Sequence, residues 1–96
     1  MNLEKEPQAV NMDDLKKMIG YPPMAKEAGI EGKVVVRVLI DKYGHYVKHI
    51  TLKEAHPILN NAVASKIDQL RMTPGIQGGR PIKVWVTLPF DFKLLN

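Results

Sequence analysis

The sequence predicts an α+β domain in which a three-stranded antiparallel sheet carries its helices on one face, in the order α-α-β-β-α-β. Two stretches alternate apolar with polar residues, which is typical of strands with one buried face. Between them, apolar residues recur at helical spacing. The loop between the first two strands is short enough for a hairpin, so the sheet is antiparallel. The chain has 96 residues, which fits one domain.

The N-terminal part divides near Asn11. Residues 1–10 contain Pro7 and show no apolar period, so they are predicted to form a flexible lead-in to a domain over residues 11–96. Asn11 is expected to cap a first helix that ends at Gly20. After a proline break, residues Met24 to Ala28 are expected to form a second, two-turn helix.

The sheet begins at Lys33, where the pattern changes to period two. A loop from Asp41 to His45 has a turn-forming residue near each end, and a second β-prone run extends from Tyr46 to Leu52. These two strands are predicted to pair as a hairpin. The buried side of the first strand is predicted to consist of Val34, Val36, Val38 and Ile40.

The third helix is predicted to start at His56-Pro57, because proline is favoured at the first helical position, and to continue to Arg71. Residues Gly75 to Gly79 are interpreted as a connection to the last strand, which alternates from Ile82 to Leu94. Pro89 lacks an N–H, so this strand is expected at a sheet edge or at a bend. The predicted core is completed by Leu59, Val63, Ile67, Val84, Val86 and Leu88.

Composition excludes several classes of function. The chain has no cysteine, so it has no disulfide, thiolate metal site or thiol nucleophile. No apolar run is long enough to span a membrane, and the polar start does not resemble a signal peptide. A formal net charge of +4 favours acidic partners weakly.

No residue pattern indicates catalysis, a cofactor or a metal. Ser65 lies within the predicted third helix, without a nearby histidine or a strained turn. His45 and His49 lie on or beside a strand, and His56 starts a helix, so the three histidines are too dispersed for a metal site. We therefore predict that the chain is not an enzyme and binds neither cofactor nor metal.

The order and spacing of short motifs, each common by itself, resemble those of the C-terminal domain family of TonB energy transducers. The resemblance covers about 75 residues, from Gly20 to Leu95. The residues that carry it are Tyr21-Pro22, Ala25, Gly29, Gly32-Lys33-Val34, Ile40-Asp41, Gly44, His56-Pro57, Leu59, Pro74-Gly75, Gly79-Arg80-Pro81, Val84 to Pro89 and Phe92.

The resemblance implies a periplasmic interaction domain of an inner-membrane-anchored protein, with the anchor outside this chain. In that family the domain binds the TonB box of outer-membrane transporters by β-strand addition. It passes on proton-gradient energy from an inner-membrane complex of the ExbB/ExbD type for the uptake of siderophores and other nutrients. The corresponding partner-binding residues here are Lys83, Val84, Trp85, Val86, Thr87 and Leu88.

The strand pattern adds a prediction about this edge. Successive N–H groups of a strand point to opposite edges, so those of Lys83, Trp85 and Thr87 share the direction of Pro89 and face the unpaired side. Trp85 lies on the sheet face opposite the predicted core, together with Val35 and Leu39. That face is either covered by residues Asn11 to Ala28 or the chain ends, or it is a contact surface, which makes a homodimer possible.

Two alternatives remain open. Similar domains occur in other envelope proteins, such as signalling metallopeptidases, where the domain would be a sensor or interaction module. A small basic nucleic-acid-binding module is the alternative of a different class, because Tyr43, Tyr46 and Trp85 are aromatic residues of a small sheet. Against it, no RNP-type run is present, and the basic residues are scattered along the sequence rather than grouped beside the aromatic residues. We therefore expect no nucleic acid among the partners.

Overall fold

The computed structural model describes residues 3–95. Its helices are α1 (Met12–Ile19), α2 (Pro23–Glu27) and α3 (Pro57–Ala64), and a 3-10 turn follows at Ile67–Gln69. Its strands are β1 (Gly32–Ile40), β2 (Tyr46–Lys53), β3 (Gly75–Gln77), β4 (Arg80–Ile82) and β5 (Val84–Phe92).

The main sheet has three antiparallel strands in the order β2-β1-β5, which confirms the predicted sheet. β1 lies in the centre, where its Val-rich sequence suits a strand with neighbours on both sides. β5 is paired with β1 over its whole length, from Val84 opposite Ile40 to Phe92 opposite Gly32. β2 and β5 are therefore the two edges of this sheet.

The turn between β1 and β2 is built around Asp41. Its backbone N–H donates to the carbonyl of His45 over 2.9 Å, and its carboxylate accepts from the backbone N–H groups of His45 and Tyr43. These N–H donors, of which that of His45 has the largest effect, hold the pKa of the Asp41 carboxyl below its usual value. An aspartate at this position therefore fixes the hairpin through its own side chain.

The core lies between the sheet and the helices. The predicted core residues of β1, together with Leu59, Val63 and Ile67, are fully buried. Val84, Val86 and Leu88 are only half-buried, although they pack against the same cluster. The remaining buried hydrophobic residues are Leu15, Ala25, Leu70, Met72, Phe90 and Phe92.

The third helix is shorter than predicted. α3 starts at Pro57 as expected, with His56 as its cap, but it ends at Ala64 rather than at Arg71. Ile67 and Leu70 are buried, as the periodicity indicated, but Ile67 lies in the 3-10 turn that Leu70 ends. A spacing of three residues places side chains on one face of either helix type, so the sequence pattern did not distinguish them.

The segment interpreted as a connection, Gly75 to Gly79, forms part of a second small sheet. β3 pairs with β4 across the two-residue turn Gly78-Gly79, and both glycines have positive φ, as a tight hairpin turn requires. Strands of three residues are too short to produce a recognisable alternation.

The continuous strand predicted from Ile82 to Leu94 is divided and shorter. Ile82 pairs with Gly75 in the small sheet, whereas Val84 pairs with Ile40 in the main sheet, so the chain changes sheet at Lys83. β5 ends at Phe92. The alternation continues through the junction because Ile82 and Val84 are both half-buried, although they belong to different sheets, and Lys83 between them is exposed.

Residues preceding α1 are attached to the fold by hydrogen bonds. The backbone of Lys5 pairs with Ile76, and the backbone N–H of Thr73 donates to the carbonyl of Gln8 over 2.8 Å. Asn11 does not cap α1 with its side chain, which instead joins the carbonyl of Gln69 to the N–H of Arg71. The domain boundary at residue 11 stays a prediction.

Candidate partner-binding edge

One edge of β5 pairs with no other strand in the part of the chain that the structure describes. β5 is nine residues long, and Pro89 lies opposite Val35 of β1. Because proline has no N–H to donate to β1, alternation assigns Pro89, Thr87 and Trp85 to the free edge. By the same alternation the N–H groups of Val86 and Leu88 point towards β1.

Five of the six residues predicted to bind a partner lie in β5, and Lys83 lies immediately before it. Val84, Val86 and Leu88 turn their side chains towards the core. Trp85 and Thr87 turn theirs to the opposite side of the sheet, since side chains alternate along a strand.

We call this opposite side the outer face. β1 and β5 contribute residues that pair across the two strands, namely Arg37 with Thr87, Leu39 with Trp85 and Val35 with Pro89. β2 adds Lys48 opposite Leu39 and Ile50 opposite Arg37. The helices do not cover this face, because α1 and α2 place Leu15 and Ala25 in the core on the other side.

Trp85 lies near one end of the outer face and is approached by two basic side chains. The guanidinium carbon of Arg37 lies 4.8 Å from the centroid of the indole ring, and the Lys48 ammonium lies 5.9 Å from it. Both distances are within the range of cation–π attraction. The one ion pair between described residues joins Lys33 to Asp91, so neither Arg37 nor Lys48 has an acidic partner there.

This arrangement corrects one inference from the sequence. The basic residues are scattered along the linear sequence, but the register of β1, β2 and β5 brings two of them to the same tryptophan. Arg37 was not recognised as a site residue. Its position in a Val-rich strand was the available signal, because a charged residue there must lie on a solvent-facing side.

A pocket of about 320 Å³ lies where the end of α1 meets the end of β5. Tyr21 contacts Phe92 edge-to-face at its wall, with the ring centroids 5.6 Å apart. The lining residues are Lys16, Ile19, Gly20, Tyr21 and residues 89–93. The sequence pattern did not reveal this pocket, because its two walls are distant in the chain.

The residues considered for catalysis or metal binding lie apart from this edge. The Ser65 hydroxyl donates to the carbonyl of Ala62, and the His49 ring shares a hydrogen bond with the Tyr46 hydroxyl over 2.7 Å. His56 accepts from the N–H of Ile58 as the cap of α3. Over residues 3–95, no three histidine or acidic side chains are grouped as metal ligands. Over the same range, no helix has the length and apolar character needed to cross a membrane.

Comparison with known proteins decides the family. Residues 18–94 match the family model described as Gram-negative bacterial TonB protein C-terminal. The chain belongs to the TonB C-terminal domain family. This confirms the resemblance inferred from the motifs between Gly20 and Leu95, and the match includes every strand of the described fold.

Individual TonB proteins agree with this assignment. The chain is 31% identical over 75 residues to Protein TonB of Vibrio cholerae, a match covering 77% of this chain and 31% of that protein. The solution structure of the Pseudomonas aeruginosa TonB C-terminal domain superposes with a TM-score of 0.71 at 27% identity, covering 97% of this chain and 91% of the other.

A more distant TonB C-terminal domain supports the fold alone. The solution structure from Helicobacter pylori has a TM-score of 0.58 at 24% identity, covering 88% of this chain and 81% of that one. The chain thus spans less than a third of the full-length TonB relative from Vibrio cholerae, whereas it spans most of both isolated domains.

Proposed function

We propose that this TonB-type domain binds the TonB box of an outer-membrane transporter as an additional strand on the free edge of β5. The single observation that carries the proposal is this edge. β5 offers nine residues of regular strand, with no strand beside it among the described residues and a proline whose missing N–H falls on the free side. Membership of the TonB C-terminal family supports the same choice of partner.

Recognition of this kind depends mostly on hydrogen bonds between the two main chains. The outward-facing groups of Trp85 and Thr87 supply N–H donors, and carbonyls along the same edge supply acceptors. About three or four such bonds, each contributing roughly 0.5 to 1.5 kcal/mol, have to offset the ordering of a flexible segment. The affinity expected for a short peptide is therefore micromolar or weaker. Trp85 and Lys83 add selectivity through their side chains.

Membership of the TonB C-terminal family supports a proposal for the cellular role as well. The domain lies in the periplasm, joined by an N-terminal anchor to an ExbB/ExbD-type complex of the inner membrane. Energy from the proton gradient passes through the strand contact to the transporter and drives uptake of siderophores or similar nutrients. The fold and the net charge of +4 are compatible with a binding module that works without cofactor or catalytic group.

Titration of the labelled domain with a short peptide locates the contact. The peptide Gly-Ser-Thr-Val-Thr-Val-Thr-Ser-Gly, with both ends blocked, is uncharged and β-prone. We expect backbone amide shifts on residues 83–88. The control is the same peptide with proline at the second and third of its five central positions, so that one of the two missing N–H groups faces β5 in either alignment of the strand.

Shifts that spare residues 83–88 and cluster on residues 43–48 of the hairpin would contradict the proposal. A response confined to β2 would contradict it as well, because β2 is the other free edge of the sheet. Equal binding of the control peptide would show that strand pairing is not the mode of recognition.

A further inference from the structure

The outer face carries two cations that converge on one ring. Arg37 and Lys48 lie on neighbouring strands, yet both approach the indole of Trp85, at 4.8 and 5.9 Å from its centroid. Over residues 3–95 no acidic side chain forms an ion pair with either of them. Both positive charges are therefore available to an anion. The outer face is thus complementary to negative charge beside an apolar ring.

The register shows how an added strand would reach these cations. Thr87 lies directly opposite Arg37, and Trp85 lies directly opposite Leu39. A strand added to the free edge of β5 places one of its outer-face residues opposite Thr87. Only the short side chain of Thr87 would lie between that peptide residue and Arg37 on the outer face. At the position opposite Trp85, the large indole would instead lie between the peptide and β1.

The distances suit a long acidic side chain. Neighbouring strands are about 4.8 Å apart, so the added strand lies roughly 10 Å from β1. A glutamate and an arginine extended towards one another span that gap, and Arg37 is exposed and already directed to the β5 side by its contact with Trp85. A carboxylate there accepts hydrogen bonds from the planar guanidinium.

We infer that the peptide bound by this domain carries an acidic residue at the outer-face position opposite Thr87, and that Arg37 selects it. The inference rests on the proposed strand addition to β5 and names the partner's chemistry at one position. Lys48 lies on β2, further from the added strand than Trp85, and supplies additional positive potential. Arg37 is thus a specificity-determining residue rather than a source of main-chain affinity.

A glutamate scan tests the inference. Glutamate replaces each of the five central residues of the uncharged peptide in turn, and glutamine peptides provide the neutral controls. We expect one position to bind about two- to fivefold more tightly as glutamate than as glutamine, as for a partly exposed ion pair. This advantage should disappear in Arg37→Gln, return in Arg37→Lys, and persist in Lys53→Gln, which removes a charge further along the same face.

The outcomes separate the two proposals. If the neutral peptides shift the β5 amides but glutamate gives no advantage, or the same advantage in Arg37→Gln, the acidic selection is wrong while strand addition stands. If no peptide shifts the β5 amides, both are wrong. Binding of a single-stranded oligothymidine to the outer face, tighter than that of any glutamate peptide and lost in Arg37→Gln, would assign the face to nucleic acid and overturn the inference.

Discussion

Gly44→Ala is expected to destabilise the domain by at least about 3 kcal/mol and to lower its Tm by roughly 12 to 24 °C. A Cβ built on Gly44 would lie 1.6 Å from the carbonyl oxygen of Met72, and its φ of 83° disfavours any side chain. The contact involves backbone on both sides, so no side-chain rotation can relieve it. The segment that carries Met72 has to move away from the hairpin.

That displacement has wider consequences. The N–H of Met72 donates to the carbonyl of Gly44 over 2.9 Å, and His45 is bridged to Arg71 beside it. Met72 is itself part of the core. A substitution at Gly44, which is buried although it lies in a hairpin turn, therefore disturbs the attachment of the connection after α3, which leads into β3.

Gly29→Ala is the matched control. Gly29 has a similar positive φ of 67°, but a Cβ there has no heavy atom within 4 Å. We expect it to cost only the backbone penalty, about 1 to 2 kcal/mol. Thermal and chemical unfolding of both variants provides the comparison. A loss of stability for Gly44→Ala no larger than that for Gly29→Ala would show that the close approach to Met72 does not exist.

Thr87→Pro is expected to weaken peptide binding about tenfold or more while the domain stays folded. Proline removes an N–H assigned to the free edge, and its ring obstructs the incoming strand. The loss of one main-chain bond together with the steric effect corresponds to about 1.4 kcal/mol or more. Pairing with β1 should survive, because the ladder already contains a proline, Pro89, two residues further along β5 and assigned to the same free edge.

Thr87→Ala is the control for this variant. It removes the same side chain but keeps the N–H, so binding should remain within about twofold. Circular dichroism and thermal unfolding confirm that both variants are folded before their affinities are compared. Unchanged peptide affinity in a folded Thr87→Pro domain would mean that the N–H of residue 87 does not contact the peptide.

The parts of the fold that depend on strong periodicity were predictable from the sequence. Alternation in β1 identified Val34, Val36, Val38 and Ile40 as a buried face, and all four are buried. The start of α3 at Pro57 was predictable from the preference of proline for the first helical turn.

The parts that depend on tertiary context were not predictable. β3 and β4 are three residues each and form only because the chain turns at Gly78-Gly79. The change of sheet at Lys83 leaves no local signal, since the alternation continues through it. The approach of Arg37 to Trp85 requires knowledge of the register between β1 and β5. The candidate edge was identifiable from Pro89, and the alternation already placed Trp85 on the outer face, but the approach of Arg37 and Lys48 to its ring was not predictable.

Backbone methylation of the peptide tests main-chain recognition at the β5 edge most directly. Each central amide nitrogen of the uncharged peptide is methylated in turn, which removes one N–H and leaves every side chain in place. In an added strand, alternate N–H groups face β5, so the affinities should alternate along the peptide. We expect losses of about tenfold or more at every second position and little change at the positions between them. Affinities that fall equally at all positions, or at none, would contradict strand addition to β5.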